Sequence, residues 1–430
     1  MDPRISRGLR LLWREALFRS LPHGLMNWRY LQRRPPPLIR AHRQIWWSSL
    51  PGLPRPIWLV LQLWLWLRWQ LFGGWRSCWR GLRDWGPRVA AEEGMSLSLQ
   101  CRLIVPMVLG WCVPAADIYR LRCHAHPERF LHYVYRHETT AFHRWRSGEP
   151  SRRSLILLQD KARLSQLLSA HALPVVSILA RVARGSAREL RDYLPADLAV
   201  FCKSRSGRGG QGAFAVWWEA GVVKGQAFSG QRLLAAEVDM AWRRLLDRDD
   251  VLVQPRLTSH PAFHSLTGDE DVVTVRVISV WRHGAPRCLC AMLEIPVGAV
   301  GNGVRYLILP LMPSSGTLSA FPAEYLSPES RCLQSRFLVA LQDWQVPDWG
   351  RVVGWSYQAH RLFSDYWAIA WDWAITGDGP RLLEGNASWG ATIPQILYGG
   401  LLAEHPGKTP GVQGIDGAHG CSLRWDVERM

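Results

Sequence analysis

The sequence predicts an α+β fold, on three observations. Helical and strand-like runs follow one another along residues 156–405 without a regular strand–helix–strand repeat. A short apolar run at 198–202 leads straight into Lys203 and the glycine-rich stretch SRSGRGGQGAF. A hairpin pattern closes the set, with residues 370–376, a turn at Gly377-Asp378-Gly379, and residues 381–385. At 430 residues, 48% hydrophobic and 20% charged, the chain is globular rather than disordered. No uninterrupted apolar run reaches the roughly 18–20 residues of a spanning helix, which excludes a polytopic membrane protein.

The net charge of +17 invites nucleic acid or anionic lipid as a partner, and its distribution bears on which. Residues 1–90 hold sixteen Arg against Asp2, Glu15 and Asp84, together with eleven of the 25 Trp and no Lys. That mixture of cationic and amphipathic aromatic side chains resembles segments that lie on membrane surfaces, so nucleic acid is the disfavoured partner. Residues 1–95 form this Arg/Trp-rich N-terminal region. Prolines at 35, 36, 37, 51, 54 and 56 predict short helices until the stretch 57–72, IWLVLQLWLWLRWQLF. Gln62, Arg68 and Gln70 interrupt it, and three readings stay open: a bilayer interface, a docking or oligomer helix, and a span carrying Arg68 at about 2.5–3.5 kcal/mol if central. A linker-like change is expected at 86–94, then a helical lead-in over 96–155, the α+β region over 156–405, and a tail over 406–430.

The first 25 residues are punctuated by arginine and lack a clean apolar core before a small-residue cleavage site. The nine Cys are odd in number with no CxxC pair. A cytoplasmic protein, with peripheral contact to an anionic membrane through residues 1–90, is the expectation.

Within 156–405 a helix is expected from 159 or 160 to 172 with Asp160 as its cap, then a strand at 175–179 and a helix at 187–193. The strand 198–202, a hairpin over 214–228, a helix over 231–247 and the strand 251–254 come after it. Strands at 272–281, 288–296 and 304–309 come next, then helices at 330–343 and 355–369 and the closing hairpin.

Two features carry chemistry. Ser206, Gly207, Gly209 and Gly210 follow Lys203, where glycines let backbone N–H groups fold over a polyphosphate and Lys supplies a point charge. The spacing is not that of a P-loop, and a flexible hairpin tip is the competing reading. In the closing hairpin, Asp372 and Glu384 lie equally far from Asp378, so they face the same side, and Asn386 shares that face two residues on. Two carboxylates and an amide oxygen form the all-oxygen set that Mg²⁺ takes when phosphates and waters complete its shell. The chain keeps only four Lys beside 48 Arg, and three Asn, so retained Lys and Asn are pointers to chemistry.

These motifs resemble the ATP-grasp superfamily, and within it the sugar-transfer-associated ATP-grasp proteins. The resemblance rests on QDKARLSQLLSAHALPV (159–175), FCKSRSGRGGQG (201–212), VLVQPRLTSHPAF (251–263), VVTVRVIS (272–279) and WDWAITGDGPRLLEGNASWG (371–390), and it covers about residues 120–400. It implies ATP clasped between two α+β subdomains, with Lys161 and Lys203 on the phosphates and Gln254, Pro255, Arg256 and Leu257 as the adenine hinge. It implies Mg²⁺ on Asp372, Glu384 and Asn386.

Arg276 has two readings, a structural pair with Asp269, Glu270 or Asp271, or a cation on the transferring phosphoryl group. Arg305 is a weaker candidate for the same region, as is Asn302. His260 and His360 are either substrate contacts or structural. Trp344, Trp349, Trp355 and Trp389 are either sugar platforms or core. One departure stands out: D-alanine ligase-like members carry Arg two residues before the first metal carboxylate, and here that position is Ala370.

The function expected is an ATP- and Mg²⁺-dependent ligase that activates a carboxylate as an acyl phosphate for attack by an amine or hydroxyl, with sugar-linked substrates in polysaccharide or glycoconjugate assembly. A kinase acting on a sugar or polyol hydroxyl is the second reading. A non-catalytic nucleotide- or nucleic-acid-binding protein is the third.

Overall fold

The computed structural model describes residues 26–49, 54–148, 150–207, 210–264, 272–300 and 303–403. Its contacts group into two units, residues 1–148 with 388–430, and residues 149–387. The sequence reading sets its boundaries after 95, 155 and 405; by contacts, the Arg/Trp-rich region and most of the helical lead-in fall in one unit.

In the first unit, α1 (Pro37–Ser48) begins on the last proline of the triplet, where the missing N–H has no intrahelical partner to lose. At 12 residues it corrects the expectation of only short helices before 57. α2 (Arg55–Arg68) passes through a π-helical turn, Trp69–Gly73, into α3 (Gly74–Glu93). The expected linker at 86–94 is overturned, because Pro87 lies inside α3 and the helix ends only at Gly94, whose φ of 68° is a glycine conformation. Gly86 serves packing there, since a Cβ would lie 2.7 Å from Leu97 Cδ2. α4 (Leu97–Trp111), α5 (Ala115–Arg120) and α6 (Thr139–Ser147) complete this part of the unit.

α2 turns Trp58, Leu61, Gln62 and Leu65 inward. Part of the polar surface that accompanies this burial is matched: Trp46 Nε1 donates to Gln62 Oε1 at 3.2 Å, Trp69 Nε1 to the Val108 carbonyl at 2.8 Å, and Tyr119 Oη to Gln100 Oε1 at 2.7 Å, while Trp58 Nε1 and Gln62 Nε2 are buried with no partner among the described residues. Among the described residues no helix is long and apolar enough to cross a membrane.

The second unit opens with α7 (Arg152–Gln159) and α8 (Lys161–Ala170). Then come β1 (Ala180–Val182), β2 (Val200–Ser204), β3 (Phe214–Glu219), β4 (Val222–Ala227), β5 (Arg232–Leu233), α9 (Ala235–Arg248) and β6 (Val251–Pro255). After these run β7 (Thr274–Arg282), β8 (Ala285–Val300), β9 (Gly303–Leu311), α10 (Pro328–Ala340), α11 (Trp349–Arg361), β10 (Ala368–Thr376) and β11 (Gly379–Asn386). The chain returns to the first unit as α12 (Thr392–Tyr398), where Gln395 accepts from Val134 N at 2.7 Å and donates to its carbonyl at 2.8 Å.

Among the described residues the strands form two antiparallel sheets, ordered β1-β6-β2-β3-β4-β5 and β11-β10-β7-β8-β9. α9 covers the first through Trp242, Leu245 and Leu246. The second shares a core with Leu164 and Leu168 of α8, Phe337 of α10, and Val352 and Ala359 of α11. Most expected elements stand within a few residues of their places, with three exceptions. The strand at 175–179 reduces to a bridge between Val175 and Leu382, and β1 starts at 180. The helix at 187–193 is a 3₁₀ turn, Leu190–Tyr193. The helix at 355–369 ends at Arg361, because β10 is buried on both faces and a strand with no polar alternation reads as the tail of a helix.

Candidate active site

Three chain segments of the second unit bring charged groups together. At α8, Asp160 caps the helix, accepting from Ala162 N at 3.1 Å and Arg163 N at 3.2 Å. The cap orients Lys161 at the first helical position. Lys161 Nζ lies 3.7 Å from Glu384 Oε2 and donates to the Gly207 carbonyl.

The second segment is the end of β2. Lys203 pairs with Leu252 in register, and burial drives its ammonium down to about 8, with Glu384 opposing and Lys161 assisting that shift. Arg205, which the sequence reading passed over, grips Asp160 through Nε at 2.8 Å and through Nη2, and reaches Asp250 at 3.0 Å. Burial opposes the charge on Asp160, and the Arg205 hydrogen bonds hold its carboxyl below the usual range. The signal for Arg205 was the neighbouring Asp249-Asp250 pair, whose role no local pattern reveals.

The glycine loop differs from expectation. Ser206 N donates to Asp249 Oδ2, at the end of α9, at 2.8 Å and Gly207 N to Ser204 Oγ at 3.0 Å, so both amides are taken by the protein's own side chains. Gly210 has φ of 64° under the Phe228 ring, where a Cβ would lie 2.4 Å from the ring. Gly209 lies outside the described residues.

The third segment is the sheet face carrying β7, β8, β10 and β11. Asp372 pairs with Glu384 across the hairpin and with Arg276 on β7. The hairpin register owes this to a bulge: Trp373 pairs with Leu382, and Asp372 then pairs with Glu384, leaving Leu383 as the extra residue. Without the bulge Asp372 would oppose Leu383. Gly385 admits the neighbouring indole, since a Cβ there would lie 2.5 Å from Trp371 Cζ3.

Arg276 is bidentate to Asp372, Nε to Oδ1 at 2.7 Å and Nη2 to Oδ2 at 3.0 Å, while its Nη1 lies 2.9 Å from Glu294. The structural partners expected for Arg276, Asp269 to Asp271, lie outside the described residues, and its pairs are Asp372 and Glu294 instead. Glu294 is the second residue that sequence reasoning missed: it stands on β8, where long alternation says only which face it shares. Burial pushes its carboxyl up to about 7 against the pull of Arg276, and burial likewise raises Asp372. Asn386 Nδ2 donates to Asp372 Oδ2 at 3.0 Å and to Glu384 Oε1 at 3.1 Å.

The residues fit a hard dication by their chemistry. Asp372 and Glu384 are oxygen donors bridged by one amide, and a half-turn of that amide puts Asn386 Oδ1 where Nδ2 now stands. Among the described residues no three His, Cys, Asp or Glu side chains hold a metal by themselves, so phosphate oxygens and water would have to complete the shell.

Other candidates are placed elsewhere. Arg305 is exposed on the edge strand β9, paired with Glu329 at 3.0 Å and away from Arg276; Asn302 lies outside the described residues. Gln254 is buried, with Nε2 3.4 Å from the Val176 carbonyl. Pro255 pairs with Val200, Arg256 donates to Gln226 at 2.8 Å, and Leu257 is half-buried. This stretch leaves the first sheet and reaches the second three residues later, where His260 N donates to the Ile375 carbonyl at 2.8 Å. His260 also caps a 3₁₀ turn, and His360 is buried against Ser279 Oγ at 2.8 Å and the Tyr366 carbonyl at 3.0 Å. His360 is thus structural, its two ring nitrogens both bonded inside the protein, whereas His260 is half-buried with Nδ1 accepting from Ala262 N at 3.2 Å. The four tryptophans are packing groups: Trp344 against Phe263, Trp349 donating to the Pro313 carbonyl at 3.0 Å, Trp355 stacked on Trp373, and Trp389 against His143.

Residues 336–408, which include α11 and the hairpin with Asp372, Glu384 and Asn386, match the family described as sugar-transfer associated ATP-grasp. The second unit is α+β in its two antiparallel sheets and their helices, a helical, Arg/Trp-rich region precedes it in the chain, and the similarity to that ATP-grasp family spans residues 336–408. None of the curated proteins compared with the chain matches it.

Among solved structures the chain is similar to the ATP-grasp ligase PsnB complexed with minimal precursor, at 17% identity and TM-score 0.31, covering 59% of this chain and 62% of that one. It is similar to the D-alanine–D-alanine ligase of Bacillus anthracis complexed with ATP, at 11% and 0.33, covering 56% and 58%. It is also similar to the VanG D-Ala:D-Ser ligase of Enterococcus faecalis, at 13% and 0.36, covering 56% and 56%. The chain thus spans less than two thirds of the length of these structures, and a likeness at this level carries no statement about substrate.

Proposed function

We propose that the second unit binds ATP with Mg²⁺ and activates a substrate carboxylate as an acyl phosphate, which an amine or hydroxyl then attacks to give an amide or ester, ADP and phosphate. The observation that supports this reading most is the approach of Lys161, beside Lys203, to Glu384 in a cluster that also holds Asp372 and Asn386. Cations from one side and carboxylates from the other suit a triphosphate and its dication between them.

Lys161 and Lys203 would neutralise phosphate charge, and residues 254–257 would line the base. Asp372, Glu384 and Asn386 would hold Mg²⁺, whose part is to polarise the phosphate oxygens. Arg276, held from two sides by Asp372 and Glu294, has its guanidinium fixed in advance of any reaction, which is what electrostatic stabilisation of a transferring phosphoryl group needs. The family's description supports a sugar-linked carboxylate or acceptor, and the need for ATP supports a cytoplasmic reaction.

A second reading, transfer of phosphate directly to a sugar or polyol hydroxyl, is favoured by Ala370, a buried alanine where an acyl-stabilising Arg would otherwise stand. The test is thermal shift with Mg²⁺·ATP, followed by ADP release across a panel of carboxylates, amines and sugars. Stabilisation lost in both Glu384→Ala and Lys203→Ala supports the site. Stabilisation absent in the parent, or unchanged by both, overturns it. A phosphorylated sugar as product, without condensation, favours the kinase.

A further inference from the structure

The continuous helix from α2 into α3 carries a second face that its own packing leaves outside. Val60 is 70% exposed, Leu71 63% and Phe72 71%, and Leu63 and Leu67 are exposed between them. Trp64, Trp75 and Trp79 stand half exposed as well. Residues 60, 64, 67 and 71 share one side of a helix of 3.6 residues per turn. The residue added by the π turn at Trp69–Gly73 rotates the downstream helix by about 100°, which returns Trp75 and Trp79 to the same line. The result is an apolar, Trp-bearing stripe about 30 Å long.

Charge says what kind of surface would cover it. Residues 55–83 carry five arginines and no Asp, Glu or Lys, and Arg68, Arg76 and Arg80 run along one border of the stripe. A second copy of the helix would bring arginines against arginines. The chain's own residues 1–25 carry Arg4, Arg7, Arg10, Arg14 and Arg19 against two acids, the same sign again. An anionic bilayer surface complements both the charge and the stripe, since tryptophan rings and arginine stems suit the headgroup depth and apolar side chains the acyl boundary.

We propose that this face docks the protein on an anionic membrane, with the helix lying in the headgroup plane and its apolar stripe inserted about 5–10 Å. The docking is independent of the ligase reading.

The test is co-sedimentation of the full chain with vesicles of phosphatidylcholine alone and of phosphatidylcholine mixed with phosphatidylglycerol, with tryptophan emission recorded. The expected result is binding to the mixed vesicles with a blue shift. It should fall at least about tenfold in Leu71→Asp/Phe72→Asp and about fivefold for each of Arg76→Glu and Arg80→Glu. All four positions are exposed, and far-UV circular dichroism checks the fold. No binding to mixed vesicles overturns the proposal. So does binding that Leu71→Asp/Phe72→Asp leaves unchanged, because that is surface charge without insertion. Self-association in sedimentation equilibrium that Phe72→Asp abolishes, without vesicle binding, assigns the face to a second copy instead.

Discussion

In the helical unit, His42 Nδ1 lies 2.8 Å from Glu138 Oε1, His42 Nε2 lies 3.1 Å from the Leu131 carbonyl, and Glu138 Oε2 accepts from Tyr135 N at 3.0 Å. In the two-sheet unit, Arg276 serves two carboxylates at once, Glu384 stands beside them, and Lys203 lies close enough to Lys161 to be depressed by it. The first cluster is buried and the second is half-buried around a buried Asp372, and they respond to burial in opposite ways. Burial opposes charge on His42 and Glu138, yet each overcomes it for the other: His42 is raised and Glu138 lowered. In the second cluster burial wins at three groups, raising Glu294 and Asp372 and lowering Lys203, while Arg276 is kept charged against burial by Asp372 and Glu294. Charges that satisfy one another fasten a fold, whereas charges held in mutual conflict are what a phosphate-bound cation can relieve.

Breaking the first cluster should have the largest effect. Glu138→Ala leaves His42 buried without its partner and should cost about 3–5 kcal/mol of stability in denaturant unfolding. The parent's dependence on pH comes from the two directions. His42, raised, contributes stability that is present below its ordinary value of 6.5 and lost as pH rises through its folded value. Glu138, lowered, contributes stability that is present above 4.5 and lost as pH falls below it. The pair should therefore stabilise most between those values, and Glu138→Ala should remove the fall in stability on either side of that window.

The second cluster should show the reverse pattern, with activity lost and the fold kept. Glu384→Ala should lower Mg²⁺·ATP-dependent ADP release by about a hundredfold or more while the unfolding midpoint in denaturant barely moves. A large loss of stability in that variant would make the cluster a fastener like the first.

Glu294→Gln sharpens the contrast through pH. Raised to about 7, Glu294 contributes stability to the unliganded protein that is present below 4.5 and lost as pH rises through about 7. The glutamine variant should lack that decline between 4.5 and 7, read from unfolding at several pH values. The smallest effect belongs to Arg205→Lys, which keeps the charge and loses the fork on Asp160: a rise of several-fold in KM for ATP with kcat nearly unchanged.

Much of the site was legible from the chain because it is local. Asp160 as a cap, Lys161 after it, Lys203 at the strand end, and Asp372, Glu384 and Asn386 around a two-residue turn all derive from spacing within one element or one hairpin. Even so, the symmetry argument that paired Asp372 with Glu384 holds only because of the bulge after Asp372. Arg205, Glu294 and the partners of Arg276 were not legible, because their roles come from residues between 18 and 96 positions away. Arg305 was misplaced for the same reason: nearness to a glycine cluster says nothing about which strand of the sheet it joins.

The amino-acid order alone determined the α+β class, the shared carboxylate and amide face of the closing hairpin and the Arg-rich, Trp-rich helix between residues 55 and 83, since turn chemistry, strand alternation and charge run-length are written in neighbouring residues. Tertiary structure alone decided which carboxylates share Arg276, that Lys161 at the start of α8 meets Glu384 on β11, and which side of the helix is turned out. Burial and long-range register set those, and neither is a property of any stretch of chain taken by itself.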